Sequence, residues 1–408
     1  MSEMTATRKG VSWRAATITV VAAALWLIAA WLLWRSTIPG DLSLPELDPR
    51  NYFSAAELER TARYERFVRI DLALSLVATI VALAIFARRA PRFARNTGLG
   101  PIGAGLIVSM VVLIILWAVD LPFSIALRWW ADRHGLAKGS WVEWLVEPWA
   151  TLGGSVAFVM LQIAVIMAFA RRFPRYWWLP VTPIFLALAV AFSVALPYLD
   201  AGRIHEPRNP GLRQTIATLE RQEGVDVPVD VEKVSDLTTQ ANAMVEGLGP
   251  TMRVVIWDTL LDGRFSFGEI RFVIAHELGH VKHDHLYKGL GWAVLFAFPI
   301  TFLLAELTRR RGGMGDPGVL AYGFLVLAVI GALVTPVGNV ISRHVEAEAD
   351  WRALETTKDP ASGRGLFEEF SRTSLGQPNP PTWAYIYFDT HPTIMQRIAM
   401  TEAWKDRR

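Results

Sequence analysis

Cysteine is absent from all 408 residues. That excludes disulfides, thiolate metal ligands and a cysteine nucleophile. An excess of either charge is also missing, since 41 Lys and Arg against 38 Asp and Glu leave a net +3. The basic clusters that do occur carry no aromatic interleaving. They sit at the ends of apolar runs, which points to lipid headgroups and topology rather than to nucleic acid. There is no internal repeat and no long low-complexity tract.

What the chain has in excess is apolar character: 52% hydrophobic residues and 17 Trp, with a positive mean hydropathy. Seven runs are apolar and long enough to span a bilayer, near residues 13–34, 70–87, 102–120, 149–170, 178–198, 289–307 and 318–340. The first follows Arg8, Lys9 and Arg14 and lacks a small-residue cleavage pattern, so it reads as an uncleaved anchor bracketed by Trp13 and Trp34. Seven such runs together predict a multi-pass membrane protein in contact with the lipid bilayer. Asp71, Gln162, Glu306 and Asn339 fall within or near spans, where polar groups face protein or water. Interhelical hydrogen bonding explains them more simply than catalysis.

Between the fifth and sixth runs the composition changes. Leu212, Ile216 and Leu219 mark a short amphipathic helix. Val227, Val229 and Val231 alternate as a strand, Arg253 to Trp257 reads as another, and Asn242 to Gly247 as a third. A small sheet results, whose exposed edge could take an extended peptide by backbone hydrogen bonds. The expected organisation is transmembrane helices over 1–198, a sheet and metal-binding helix over 199–288, two spans over 289–340 and a polar C-terminal segment over 341–408.

One segment carries chemistry. In His276-Glu277-Leu278-Gly279-His280 the two histidines are four apart, so on a helix both reach one metal while Glu277 stands beside them as a base for an activated water. Ser266 and Glu269 form a capping box ahead of Phe267, and Phe267, Ile270, Val273, Ile274 and Leu278 supply an apolar stripe. A third ligand is on offer in Ser342 to Asp350. If that segment is helical, Glu346 and Asp350 share a face, and Glu348 points about 200° away from Glu346. One carboxylate can bind the metal while the other orients a ligand histidine through its second ring nitrogen. His283 and His285 read as surface residues or as supports of the pair. His344 has no assigned role, and Arg397 is open between partnering a site carboxylate, contacting substrate and an ordinary salt bridge.

His276-Glu277-x-x-His280, Glu346-x-x-x-Asp350, His391-Pro392 and Arg397-Ile398 together resemble the type I CAAX prenyl proteases, membrane zinc endopeptidases similar to the bacterial heat-shock membrane proteases. The likeness extends loosely to Leu121-Pro122-Phe123 and to His134-Gly135. It implies one zinc ion per chain held by His276, His280 and Glu346, with Glu277 as general base and Asp350 as the orienting partner. It implies that His391 holds the substrate or the developing oxyanion, and that Asn242-Ala243 begins the substrate-binding edge strand. It also implies a helical barrel around an interior chamber. Thr393 and Ala347 depart from the family pattern, where a proline and an aromatic are usual, and both positions bear on substrate preference.

The expectation is a mainly α integral-membrane protein: a seven-helix transmembrane bundle with a small α+β metalloprotease domain at its surface. It would cleave membrane-associated or extended peptides. The rival is a non-catalytic scaffold or transporter with a structural metal, against which the open three-ligand set argues. Two spans separate His280 from Glu346, so the site closes only when the ends of the sixth and seventh spans meet. Arg88, Arg89, Arg92 and Arg95, then Arg171, Arg172 and Arg175, then Arg309, Arg310 and Arg311 fall on one side of a seven-span bundle, with the N-terminus. The positive-inside rule makes that side cytoplasmic and puts the catalytic segments opposite. The prenyl-protease resemblance implies the reverse for eukaryotic members, and Arg60, Arg63, Arg66 and Arg69 weigh on its side.

Overall fold

The computed structural model describes residues 13–199 and 202–407. Arg8 and Lys9 lie outside the described residues, as does the side chain of Arg14. Seven long helices occupy the seven apolar runs: α1 (Trp13–Leu33), α2 (Ala55–Asn96), α3 (Pro101–Arg133), α4 (Trp141–Arg172), α5 (Trp178–Leu199), α8 (His285–Arg309) and α9 (Leu320–Thr357). Among the described residues six of them, α2 to α5 with α8 and α9, are long and apolar enough to cross a membrane. The apolar stretch described in α1, Thr19–Leu33, is shorter. These helices carry exposed apolar side chains suited to lipid, among them Leu74, Val77, Ile114 and Leu333, all more than half exposed.

The bundle is tightly closed at one end. Its apolar core, including Leu83, Val108, Val112, Met167, Leu304, Leu320 and Ala321, lies in the halves of the helices that carry the three arginine clusters. Gly105 makes this closeness possible, since a Cβ there would stand 2.1 Å from Met167 Sδ. At that end Arg171 Nη1 donates to Gly315 O, and Arg311 lies over the Tyr322 ring.

At the other end sits the second core. It is built by α6 (Pro210–Glu223), α7 (Phe267–Lys282), α10 (Pro360–Ser374), α11 (Thr382–Phe388), α12 (Ile394–Asp406) and a sheet. The sheet strands are β1 (Ile204–His205), β2 (Val229–Glu232), β3 (Ala243–Glu246) and β4 (Arg253–Trp257), in the order β1-β2-β4-β3. β2 and β4 run parallel, while β1 and β3 pair antiparallel on either side. Leu212, Ile216 and Leu219 of α6 are buried against the sheet and α7, as their spacing predicts. Phe53 is also buried in this core, with Ile38, Leu42, Leu47 and Leu58 packed around it. The segment joining α1 to α2 thus belongs to the second core and not to the membrane part, where the sequence division at 198 places it.

Two helices bridge the layers. At about 1.5 Å per residue the 42 residues of α2 and 38 of α9 far exceed a hydrocarbon core about 30 Å thick. α9 therefore continues unbroken from the last span into the second core, and carries Glu346 and Asp350 on the same rod that anchors it in the bundle.

Candidate active site

The histidine pair is placed by α7. Its capping box is formed, with Ser266 N donating to Glu269 Oε2 at 2.7 Å and Glu269 N donating to Ser266 Oγ at 3.3 Å. Phe272, Ile274, Ala275 and Leu278 are buried in the core, leaving His276 and Glu277 on the floor of a cleft at only 5% and 6% exposure. Gly279 admits α9 alongside, because a Cβ there would meet Arg352 Cβ at 3.3 Å.

Helix α9 brings the carboxylates. Glu346 Oε2 lies 3.2 Å from His276 Nε2, and Glu346 Oε1 lies 3.8 Å from His280 Nε2. The two Nε2 atoms are 3.1 Å apart. Two ligands about 2.0–2.1 Å from a tetrahedral zinc stand about 3.3 Å apart, close to what is seen here. Glu346 Oε2 is buried without a hydrogen-bond donor, and the three candidate ligand atoms lie within 4.8 Å of one another. Converging lone pairs with no donor between them suit a cation, so the residues fit the expected metal.

Around this centre, Asp350 Oδ1 stands 2.9 Å from His276 Nδ1, on the ring edge away from Glu346. Arg397 donates from Nε to Asp350 Oδ2 at 2.8 Å and from Nη2 to Oδ1 at 2.6 Å, with its guanidinium 4.2 Å above the Phe367 ring. Of the roles left open for Arg397, the structure shows the partnering of a site carboxylate: it borders the cleft, and its fork is committed to Asp350. Burial pushes the Glu277 carboxyl up to about 7 against the pull of His276, and burial lowers the His280 imidazole to about 3.

Asn242 and Ala243 line the same cleft with Met244 and Val245, on β3, an edge strand of the sheet. Trp257 N donates to Asn242 O at 3.0 Å. By antiparallel alternation Met244 and Glu246 then point their backbone groups at β4, and Ala243 and Val245 point theirs at the free edge. His391 is half-exposed on the open side, its Nε2 3.2 Å from Glu346 Oε2. Its loop is held to α9 by carbonyl clamps. Arg343 Nη1 donates to Tyr385 O and Asp389 O, and Asn339 Nδ2 donates to Ile386 O and Tyr387 O. Asn339 is thus structural, as its position in a span suggests.

Sequence reasoning missed Glu348 and left His285 open between a surface residue and a support of the pair. His285 is buried with Nδ1 2.8 Å from His280 Nδ1, and its Nε2 lies 3.0 Å from Glu348 Oε2. Glu348 does point away from Glu346, yet it is 1% exposed and meets the far side of the site. In one continuous helix His280 and His285 would diverge by about 140°. The left-handed backbone of Asp284 (φ 55°) ends α7 and folds α8 back, so His285 returns behind His280.

A helical membrane protein with a candidate His-His-Glu metal centre beside a buried glutamate is the class this architecture defines. Residues 207–405 match the family model for Peptidase family M48. The Uncharacterized metalloprotease YhfN of Bacillus subtilis (strain 168) is 26% identical over 422 residues, covering 92% of this chain and 94% of the relative. A CAAX prenyl protease 1 homolog of Oryza sativa subsp. japonica is 24% identical over 318 residues, 71% of each chain. A Protease HtpX homolog of Methylibium petroleiphilum is 25% identical over 279 residues, 64% of this chain and 92% of the relative. The crystal structure of S. mikatae Ste24p superposes with a TM-score of 0.75 at 18% identity, over 96% of this chain and 99% of that one. The fold is accordingly Ste24p-like. The family model, the relatives and the fold together support the membrane metalloprotease family that its motifs resemble.

Proposed function

We propose that this chain is a zinc endopeptidase that binds an extended peptide along β3 and hydrolyses it at the His276 centre. The observation that carries this reading is the convergence of His276, His280 and Glu346 beside buried Glu277 on a cleft walled by an edge strand. His276 Nε2, His280 Nε2 and Glu346 would hold one zinc ion. Zinc supplies Lewis acidity to the scissile carbonyl and lowers the pKa of water. Glu277, buried beside the ligand pair, takes the proton from the attacking water and passes it to the leaving amine. Asp350 orients His276, and Arg397 holds Asp350. The outward backbone groups of Ala243 and Val245 take the peptide as an added strand. His391 donates from the open side to the developing oxyanion.

We place the arginine-bearing end of the bundle in the cytoplasm and the catalytic core on the opposite side. With α1 as a seventh span the N-terminus joins the arginine side.

Glu277→Gln tests the chemistry. It removes the base and no ligand, so hydrolysis of casein-type or membrane-protein substrates should fall by about 10²–10⁴-fold or more. Elemental analysis should still find one zinc per chain. Wild-type turnover in the metal-loaded variant would defeat the assignment and favour a structural metal.

A further inference from the structure

We propose that Glu348 and His285 are positioning residues that fix the tautomer of His280, so that its Nε2 lone pair faces the metal. The inference rests on the zinc reading above and extends it to residues outside the ligand set.

A chain of hydrogen bonds runs inward from Glu348. Its Oε1 receives Thr37 N at 2.7 Å and Thr37 Oγ at 3.1 Å, and its Oε2 receives Lys288 Nζ at 3.1 Å. With Lys288 against it, the side chain is an ionised acceptor with no proton to give. His285 Nε2, 3.0 Å from Oε2, must therefore be the donor. A neutral imidazole that donates from Nε2 accepts at Nδ1. The atom facing His285 Nδ1, at 2.8 Å, is His280 Nδ1, which donates to it when His285 is the neutral tautomer. With its proton on Nδ1, His280 presents a bare Nε2, the atom 3.1 Å from His276 Nε2 and 3.8 Å from Glu346 Oε1. Metal-bound histidines commonly hand their second N–H to a carboxylate or carbonyl. Asp350 Oδ1 stands 2.9 Å from His276 Nδ1 with nothing between them, whereas Glu348 acts on His280 through an intervening imidazole.

Three acids on α9, two residues apart, thus divide the work. Glu346 reaches the centre, Asp350 supports one histidine and Glu348 the other. The outer end of the relay is closed by the segment that follows α1. Thr37 supplies two donors, Lys288 Nζ also reaches Arg35 O, and His344 stacks on Trp34 at 4.0 Å while its Nε2 lies 2.8 Å from Trp34 O. Packing of α1 against α8 is thereby tied to the geometry of the centre.

The test measures zinc affinity of the full chain in detergent by competition with a chromophoric chelator, which needs no substrate. Glu348→Gln keeps the shape but brings an amide N–H₂ among groups that all donate. Its zinc affinity should fall about 10–100-fold, and His285→Ala should fall by a similar factor. Because Glu348 acts only through His285, the double variant should lose no more than the worse single one. Wild-type affinity in either single variant overturns the relay, and so does a double variant whose losses multiply. If Glu348→Gln does not fold, Thr37→Ala and His285→Asn take its place in the same cycle, where unchanged affinity or multiplying losses again overturn the relay. A wild-type chain without stoichiometric zinc overturns the zinc reading itself, which separates that failure from failure of the relay.

Discussion

Arg397→Met separates what holds the catalytic core together from what holds its metal. Asp350 is 1% exposed and Arg397 8%. Their two hydrogen bonds, at 2.8 and 2.6 Å, are the principal compensation for burying both charges. Methionine keeps much of the side-chain volume over Phe367 and removes the charge, leaving the Asp350 carboxylate with His276 alone. Removing one member of a buried pair costs about 3–5 kcal/mol, because the survivor's desolvation is left uncompensated. Asp350→Asn combined with Arg397→Met takes out both charges, and should recover about 1–3 kcal/mol relative to the sum of the single changes. Zinc should not follow this recovery. The neutral amide at 350 no longer raises the basicity of His276, so affinity should stay about 10–100-fold below wild type, equivalent to about 1.4–2.7 kcal/mol. Stability is read as the thermal unfolding midpoint of the detergent-solubilised chain in excess chelator, and affinity by metal competition. An Arg397→Met chain that unfolds at the wild-type temperature would refute the pairing argument. So would a double variant whose losses simply add.

Three further outcomes follow from the same geometry. His391→Ala should lower turnover about 10²–10³-fold, as loss of an oxyanion donor does, with zinc occupancy intact; stoichiometric metal loss would make His391 a ligand instead. Val245→Pro deletes an N–H that faces the open edge of β3 and spares the pairing with β4. It should reduce kcat/KM about tenfold through one lost backbone hydrogen bond, with unchanged zinc content; an unaltered kcat/KM would show that the peptide does not dock there. The natural absence of cysteine allows single cysteines at Lys233 and Asn96, both exposed, to be labelled on intact cells with an impermeant thiol reagent. Labelling at 233 alone supports a catalytic core outside the cytoplasm, and labelling at 96 alone reverses the orientation.

What the sequence determined by itself lies within a few helical turns. The capping box at Ser266, the shared face of His276 and His280, the shared face of Glu346 and Asp350, and the opposite direction of Glu348 all follow from 100° per residue. The apolar runs are legible for a similar reason, since a bilayer demands a length and a composition that one segment must meet alone. The strand at Ala243–Glu246 is expected within Asn242 to Gly247, but its place at the edge is not legible, because the order β1-β2-β4-β3 departs from chain order. β1, at two residues, is too short to carry a pattern. Which neighbour a side chain meets was decided by tertiary structure alone. Arg397 is given to Asp350 by the docking of α12 on α9. Glu348 is turned from an apparently idle acid into a buried support by the left-handed residue Asp284, which sends α8 back past His280. Phe53 and its neighbours join the catalytic core only because α1 and α2 leave the bundle on that side. Local backbone rules set the direction of a side chain on its own element. Its partners depend on how separate elements bury their apolar faces against one another, and that packing brings together residues such as Thr37 and Glu348, 311 positions apart.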